Sequence, residues 1–198
     1  VDRALQKDAL AKGMRIVSSA KPAVQHYWLF GGLYFATPEK LDPQVPFVKK
    51  EVRQAMNLAI NRKAIADNIL VGRAQPSKLF GYHPELTNIL WPGTWNPDWD
   101  KRFDELYGYN PTRAKQLLAE AGYPNGFEFT VYLFTLPGLA EQIDIGQALA
   151  LDWQAIGLKP KLVELEFPRV RGLYSTKAIH GAVWPLRGRI ATLDFIRI

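Results

Sequence analysis

The sequence predicts an α/β fold, a mixed sheet with flanking helices, and three observations carry that prediction. Residues 127–135 alternate apolar and polar, residues 139–156 place apolar side chains at helical spacing, and LKPKLVELEF at 158–167 returns to an extended pattern. A strand, helix and strand in so short a stretch form a unit whose strands should run parallel with a right-handed crossover. The composition is globular: 198 residues, 47% hydrophobic and 22% charged, enough for one sizeable core or two small ones and too apolar for a disordered chain.

The elements follow from local pattern. Residues 14–35 are β-rich but interrupted by Pro22 and by Gly31-Gly32, so they read as two extended segments with a bend, suited to connecting two bodies. From Lys49 the period changes, and Val52, Ala55, Met56, Ala59 and Ile60 mark one buried helical face. Asn61 can cap a second short helix through Ile65 and Ile69, which Gly72 can end. Residues 73–110 hold Pro76, Pro84, Pro92 and Pro97 and read as a long structured loop, with Pro92, Gly93 and Pro97 breaking any helix through Trp91, Trp95 and Trp99. Those tryptophans read first as packing that pins the loop, and second as a surface on which a ligand could stack. Asn110-Pro111 then opens a helix with Ala114, Leu117, Leu118 and Ala121 inward, ended by Gly122. In the strand that follows, Phe127, Phe129, Val131 and Leu133 share one face, and the next helix turns Leu139, Ile143, Gly146, Leu149, Trp153 and Ile156 inward. Pro168 opens another helix through Val170, Leu173 and Tyr174, and residues 181–184 read as a third strand.

Most catalytic chemistries lose their signatures. The absence of cysteine removes disulfides, thiolate nucleophiles and Cys-based metal sites. His26, His83 and His180 stand apart, outside any zinc-hydrolase spacing. Ser18, Ser19, Ser77 and Ser175 lie in no nucleophile motif, and no phosphate-binding glycine loop is present. Asn96, Asp98, Asp100 and Asp104 fit a calcium-loop register, but Lys101 stands where the turn needs glycine and Tyr107 where a bidentate Glu belongs. No metal or other cofactor is expected. The net charge of +6 invites a nucleic-acid reading, yet the basic residues are scattered pairs such as Lys49-Lys50 and Arg62-Lys63 rather than a stripe. No apolar run is long enough to span a membrane, and the first residues lack the order of a signal peptide. A chain that starts at Val1 and stops at TLDFIRI is expected to be processed or a piece of a longer protein.

The remaining cluster is GAVWPLRGRIATLDF. A strand ending in Trp184 and running into a loop with Arg187, Arg189 and Asp194 puts an aromatic plate, two guanidiniums and a carboxylate beyond a strand's carboxyl end, where open α/β sheets bind ligands. Arg can fork onto a ligand carboxylate and Asp can take an ammonium group. In that reading Trp184 keeps one ring face open and an arginine lies on its side of the sheet. An exposed loop with ordinary charges is the alternative.

Three stretches, PFVKKEVRQAMNLAINRKAIADNILVGRAQP at 46–76, YNPTRAKQLLAEAGYPNGFEFTVYL at 109–133 and DWQAIGLKPKLVELE at 152–166, resemble in order the extracellular solute-binding proteins of family 5, the peptide- and nickel-binding class serving ABC importers. Asn61 stands where the family usually has Asp, and either residue caps a helix. The resemblance implies one lobe of a two-lobed, periplasmic-binding-protein-like fold of type II, cluster C. Residues 1–35 would be a segment entering from the hinge and 36–198 the distal α/β lobe, with the partner lobe absent. It implies a non-catalytic receptor, periplasmic or extracellular, that closes on a peptide-like small solute and presents it to an ABC permease, with no role for nucleic acid. Within the family a strand ending in Gly-Trp and a following Asp line the cleft. Val183-Trp184 and Asp194 match, although PLRGRIAT between them departs from the usual spacing. Tyr27 and Trp28 on the entering segment join Trp184, Arg187, Arg189 and Asp194 as candidate ligand-binding residues. The rival functions are a hydrolase on an α/β scaffold and a basic nucleic-acid-binding module.

Overall fold

The computed structural model describes residues 3–17, 24–31, 42–74, 76, 97–136, 141–176, 178–179 and 181–189. In chain order its elements are α1 (Arg3–Ala11), β1 (Val24–Phe30), α2 (Lys50–Leu58), α3 (Arg62–Asn68), α4 (Pro97–Tyr107), α5 (Pro111–Glu120), β2 (Glu128–Leu133), α6 (Gln142–Ala155), β3 (Lys159–Glu164), α7 (Phe167–Ser175) and β4 (Ala182–Arg189). A single 3-10 turn at Pro46–Val48 precedes α2.

The strand–helix–strand expectation holds, because β2 pairs with β3 in parallel, Glu128 opposite Lys159 through Leu133 opposite Glu164. The sheet order is β1-β4-β2-β3, with β4 parallel to β2 and antiparallel to β1, so the sheet is mixed. Alternation sorts the strand residues onto two faces. Phe129, Val131, Leu133 and Val183 join the larger core, together with Val52, Ala55 and Met56 of α2, Ala114, Leu117 and Leu118 of α5, and Ile145, Leu149 and Trp153 of α6. Phe134, Val170 of α7, Ile179, Ala182 and Trp184 form a smaller cluster, with Tyr132 and Leu186 partly buried against it. Each fully buried aliphatic or aromatic side chain in these layers contributes about 1.5–3 kcal/mol of transfer free energy.

Polar contacts tie the helical layer together. Asn61 Oδ1 accepts from the Ala64 N–H and caps α3, and Asn110 Oδ1 caps α5 through the Arg113 N–H. Trp153 Nε1 donates to the Met56 carbonyl at 3.0 Å, inside the core, and locks α6 onto α2. The Asn110 N–H donates to the Leu58 carbonyl at 2.7 Å, joining the start of α5 to the end of α2. Gly126 needs its glycine: at φ +67, a Cβ there would stand 1.9 Å from the Gly157 carbonyl oxygen of the turn between α6 and β3.

Two expectations are corrected. Residues 97–107 are the helix α4, not the end of a loop, because Pro97 occupies the first helical position, where a missing N–H removes no helical bond. The calcium register therefore lies largely on a helix, and among the described residues no acidic or histidine cluster is placed to hold a metal. Residues 182–189 are one strand running through Pro185, not a strand to Trp184 and then a loop. Pro185 is tolerated because the pairing of β4 with β2 involves Ala182 and Val183, leaving Pro185 paired on the β1 side alone, opposite Trp28. Helix α1 was not anticipated. Trp91 and Trp95 lie outside the described residues, as do His83 and His180.

Candidate functional site

Strand directions bring the carboxyl ends of β2, β3 and β4 to one end of the sheet, and β1, running antiparallel, starts at that same end. Val24, where the chain enters, sits opposite Arg189, where it leaves. Carrying the parallel register onward sets Leu133 level with Pro185, so the paired segments 24–27 and 186–189 run on past the end of β2. At about 3.3 Å per residue, four residues make a two-stranded ribbon about 13 Å long. The starts of α6 at Gln142 and of α7 at Phe167, each following a parallel strand, lie at this end too. This is the crevice end of an open α/β sheet.

The sequence candidates separate here. Arg187 and Arg189 stand on the projecting part of β4, opposite His26 and Val24, and Tyr27 stands on β1 opposite Leu186. Trp28 is half-buried against the larger core, where its six-membered ring approaches Gly146 of α6. Trp184 is not an open plate: it is 1% exposed, in the smaller cluster with Phe134, Val170 and Ile179. The reason is α7, which covers that face of the sheet. Asp194 lies outside the described residues.

Gln142 is a residue that the sequence reading missed. It is 1% exposed, the one buried polar side chain among the described residues, and neither atom of its amide has a hydrogen-bond partner among them. The inward stripe of α6, Gly146, Leu149 and Trp153, extended back by four residues, lands on Gln142, a signal that was available. A buried amide without partners costs roughly 1–3 kcal/mol, which fold stability alone gives no reason to keep. It begins the helix that follows β2, at the crevice end.

Among the described residues, the clear electrostatic perturbations lie elsewhere, between helices. The Arg62 guanidinium donates to the Asn57 and Tyr107 carbonyls at 3.1 and 3.3 Å and to Asn57 Oδ1. Burial lowers its pKa to about 10 against the attraction of Asp152. Asp152 accepts from the Asn61 N–H at 2.8 Å. Burial raises its pKa, opposed by that hydrogen bond and by Arg62. This cluster joins α3 to α6 and serves the scaffold.

With this geometry in hand, comparison with known proteins is informative. The family described as bacterial extracellular solute-binding proteins, family 5 Middle, matches residues 3–185. Heme-binding protein A of Haemophilus influenzae is 35% identical over 132 residues, covering 65% of this chain and 22% of that protein. Di/tripeptide-binding protein 1 of Pseudomonas aeruginosa is 32% identical over 124 residues, 62% of this chain and 21% of that protein. Among solved structures, the Escherichia coli murein tripeptide binding protein MppA superposes with a TM-score of 0.65 at 18% identity, covering 94% of this chain and 33% of that one. The oligopeptide-binding protein AppA of Bacillus subtilis, in complex with a nonapeptide, gives 0.62 at 19% identity, covering 84% and 31%. The match thus covers about a fifth of the length of the two curated relatives and about a third of the two solved structures.

Proposed function

The chain belongs to the bacterial extracellular solute-binding proteins, family 5, and on that premise we propose that residues 36–198 are the distal lobe of a two-lobed receptor, entered through residues 1–35. The partner lobe is the remainder of a family-length polypeptide, and the two lobes close on a peptide-like solute that a membrane ABC permease then receives outside the cytoplasm.

The observation that carries this reading is the antiparallel pairing of Val24 with Arg189. A lobe inserted into a longer chain needs its entry and exit side by side, and here both lie at the crevice end of the sheet. Two adjacent connecting strands also form a natural hinge, since a few residues can absorb the rotation of a whole lobe. Arg187, Arg189 and Tyr27 on the ribbon, Trp28 beside it and Asp194 further along are the residues proposed to meet the solute. Trp184 backs this wall from the covered face of the sheet. A peptide-like solute is favoured because relatives named for peptides recur among the matches. It also suits guanidiniums for a carboxylate and an Asp for an ammonium group. No catalytic step is assigned, because capture and closure need only complementary surfaces.

The test is calorimetry of di- and tripeptides against the family-length polypeptide and against the 198-residue chain. The longer polypeptide should bind and contract in small-angle scattering. The 198-residue chain should bind at least about 100-fold more weakly, since roughly half the contacts and all of closure are lost. Equal affinity of the two, or tight binding without contraction, refutes the clamp.

A further inference from the structure

Trp28 on β1, Pro185 on β4 and Leu133 on β2 stand level with one another, in the last row in which β2 still flanks the two strands of the ribbon. Neighbouring strands lie about 4.8 Å apart, so the backbones of Trp28 and Leu133 are separated by about 10 Å. A Cβ on Gly146 of α6 would nevertheless collide with Leu133 Cδ2 and with Trp28 Cη2 at once. The indole is therefore laid across β4 at the level of the buried Pro185, with the far edge of its six-membered ring in a notch that Gly146 leaves open. Glycine is a poor helix former in a helix interior, and here its missing side chain is what lets that ring reach α6.

On one side the ring packs against the larger core, where the pair Phe30 and Val183 is next along the same two strands. Trp28 still remains partly exposed, and the exposed surface lies away from that core, at the crevice end. An indole whose far edge is wedged has little rotational freedom left to lose, so it offers a ligand flat apolar area at small entropic cost. Its neighbours at the notch, Leu133 and Gly146, are apolar, and Arg187 stands two residues beyond Pro185 on β4, a position that disfavours a cation over the ring. We propose that Trp28 is a platform for an apolar or aromatic side chain of the solute, and that Gly146 is the positioning residue that sets the ring's plane and height. This rests on the peptide-like reading above and deepens it, because the receptor then selects for side-chain bulk and against positive charge at one position of the solute.

Calorimetry of the family-length polypeptide tests it, with dipeptides that pair alanine, in either order, with alanine, leucine, phenylalanine or lysine. In one of the two orders the leucine or phenylalanine peptide should bind at least about tenfold more tightly than dialanine, the scale of one good aromatic contact. Trp28→Ala should bring that ratio to within about threefold of unity. Gly146→Ala, which pushes the ring out of its notch, should lower the ratio by at least about threefold in the parent and leave it unchanged in a Trp28→Phe background, where the shorter ring does not enter the notch. A ratio between two peptides on one sample does not depend on the fraction folded, so a purely structural role of either residue would lower stability and leave the ratio alone. Absence of the preference in the parent, or a preference that survives either Trp28→Ala or Gly146→Ala, overturns this inference while the two-lobe reading stands. A preference for the lysine peptide that Trp28→Ala abolishes overturns it in favour of a cation on the ring. Failure of every dipeptide to bind overturns the peptide-like reading and this inference with it.

Discussion

Gly146 lies inside α6, the longest of the described helices, where glycine costs about 1 kcal/mol relative to alanine. The geometry explains its presence. A Cβ at Gly146 would stand 2.4 Å from Leu133 Cδ2 and 2.6 Å from Trp28 Cη2, with Trp28 Cζ2 at 3.2 Å. Normal contact would need the leucine methyl to retreat by about 1 Å and the indole by about 0.8 Å, and such overpacking costs about 1–3 kcal/mol. The leucine tip can rotate away, but the indole is fixed on a strand, so the cost belongs near the upper end. Setting about 2–3 kcal/mol of crowding against about 1 kcal/mol of helix propensity, Gly146→Ala should lose about 1–2 kcal/mol. Phenylalanine at position 28 lacks both offending atoms, so in a Trp28→Phe background the same change should be neutral or slightly stabilising, a coupling of about 2 kcal/mol. Urea unfolding followed by far-UV circular dichroism on the four proteins measures it. If Gly146→Ala stabilises the parent by more than about 0.5 kcal/mol, or costs the same in both backgrounds, then β1 does not dock on α6 as described.

Replacing Gln142 by Leu removes two unpartnered buried polar atoms and should raise stability by about 1–3 kcal/mol; a loss of stability in urea denaturation contradicts its lack of partners. Trp184→Ala should cost about 3–5 kcal/mol of fold stability, as for other buried aromatics, and a loss below about 1 kcal/mol in urea denaturation contradicts its burial. Asp152→Asn keeps an acceptor for the Asn61 N–H and removes the charge. Because the folded pKa of Asp152 is raised above its ordinary value, its ionisation opposes folding. The stability of the parent relative to the variant should therefore be highest below the ordinary carboxylate pKa and fall as pH rises through the raised value. A difference that grows with pH in the same titration overturns that sign.

The elements read correctly from sequence were those whose signals are local. Asn110-Pro111 and the spacing of Ala114, Leu117 and Leu118 define α5 without reference to anything distant, and β2, α6 and β3 announce themselves by alternation, helical period and glycine stops. Failures arose where one residue type has two meanings. Pro97 breaks a helix in its interior but begins one at its first turn. Pro185 argues against a central strand, yet is harmless where β4 has lost its second neighbour. Trp184 is an open plate or a core residue depending on whether α7 covers that face, a fact of tertiary packing that no window around residue 184 contains. That Arg187 and Arg189 stand toward the carboxyl ends of parallel strands was legible, whereas the burial of Trp184 was not.

The pairing of Val24 with Arg189 also orders events during biosynthesis. The contacts of β2, α6 and β3 are close in sequence and can form as soon as that stretch leaves the ribosome, but β1 must wait until β4, its neighbour in the sheet, has been made. Nearly the whole described chain separates the two. During that interval VQHYWLF, rich in aromatic and branched residues and without an acidic or lysine gatekeeper, is an unpaired strand. Its docking is the late, long-range step, and until then the chain carries an aggregation-prone strand uncovered.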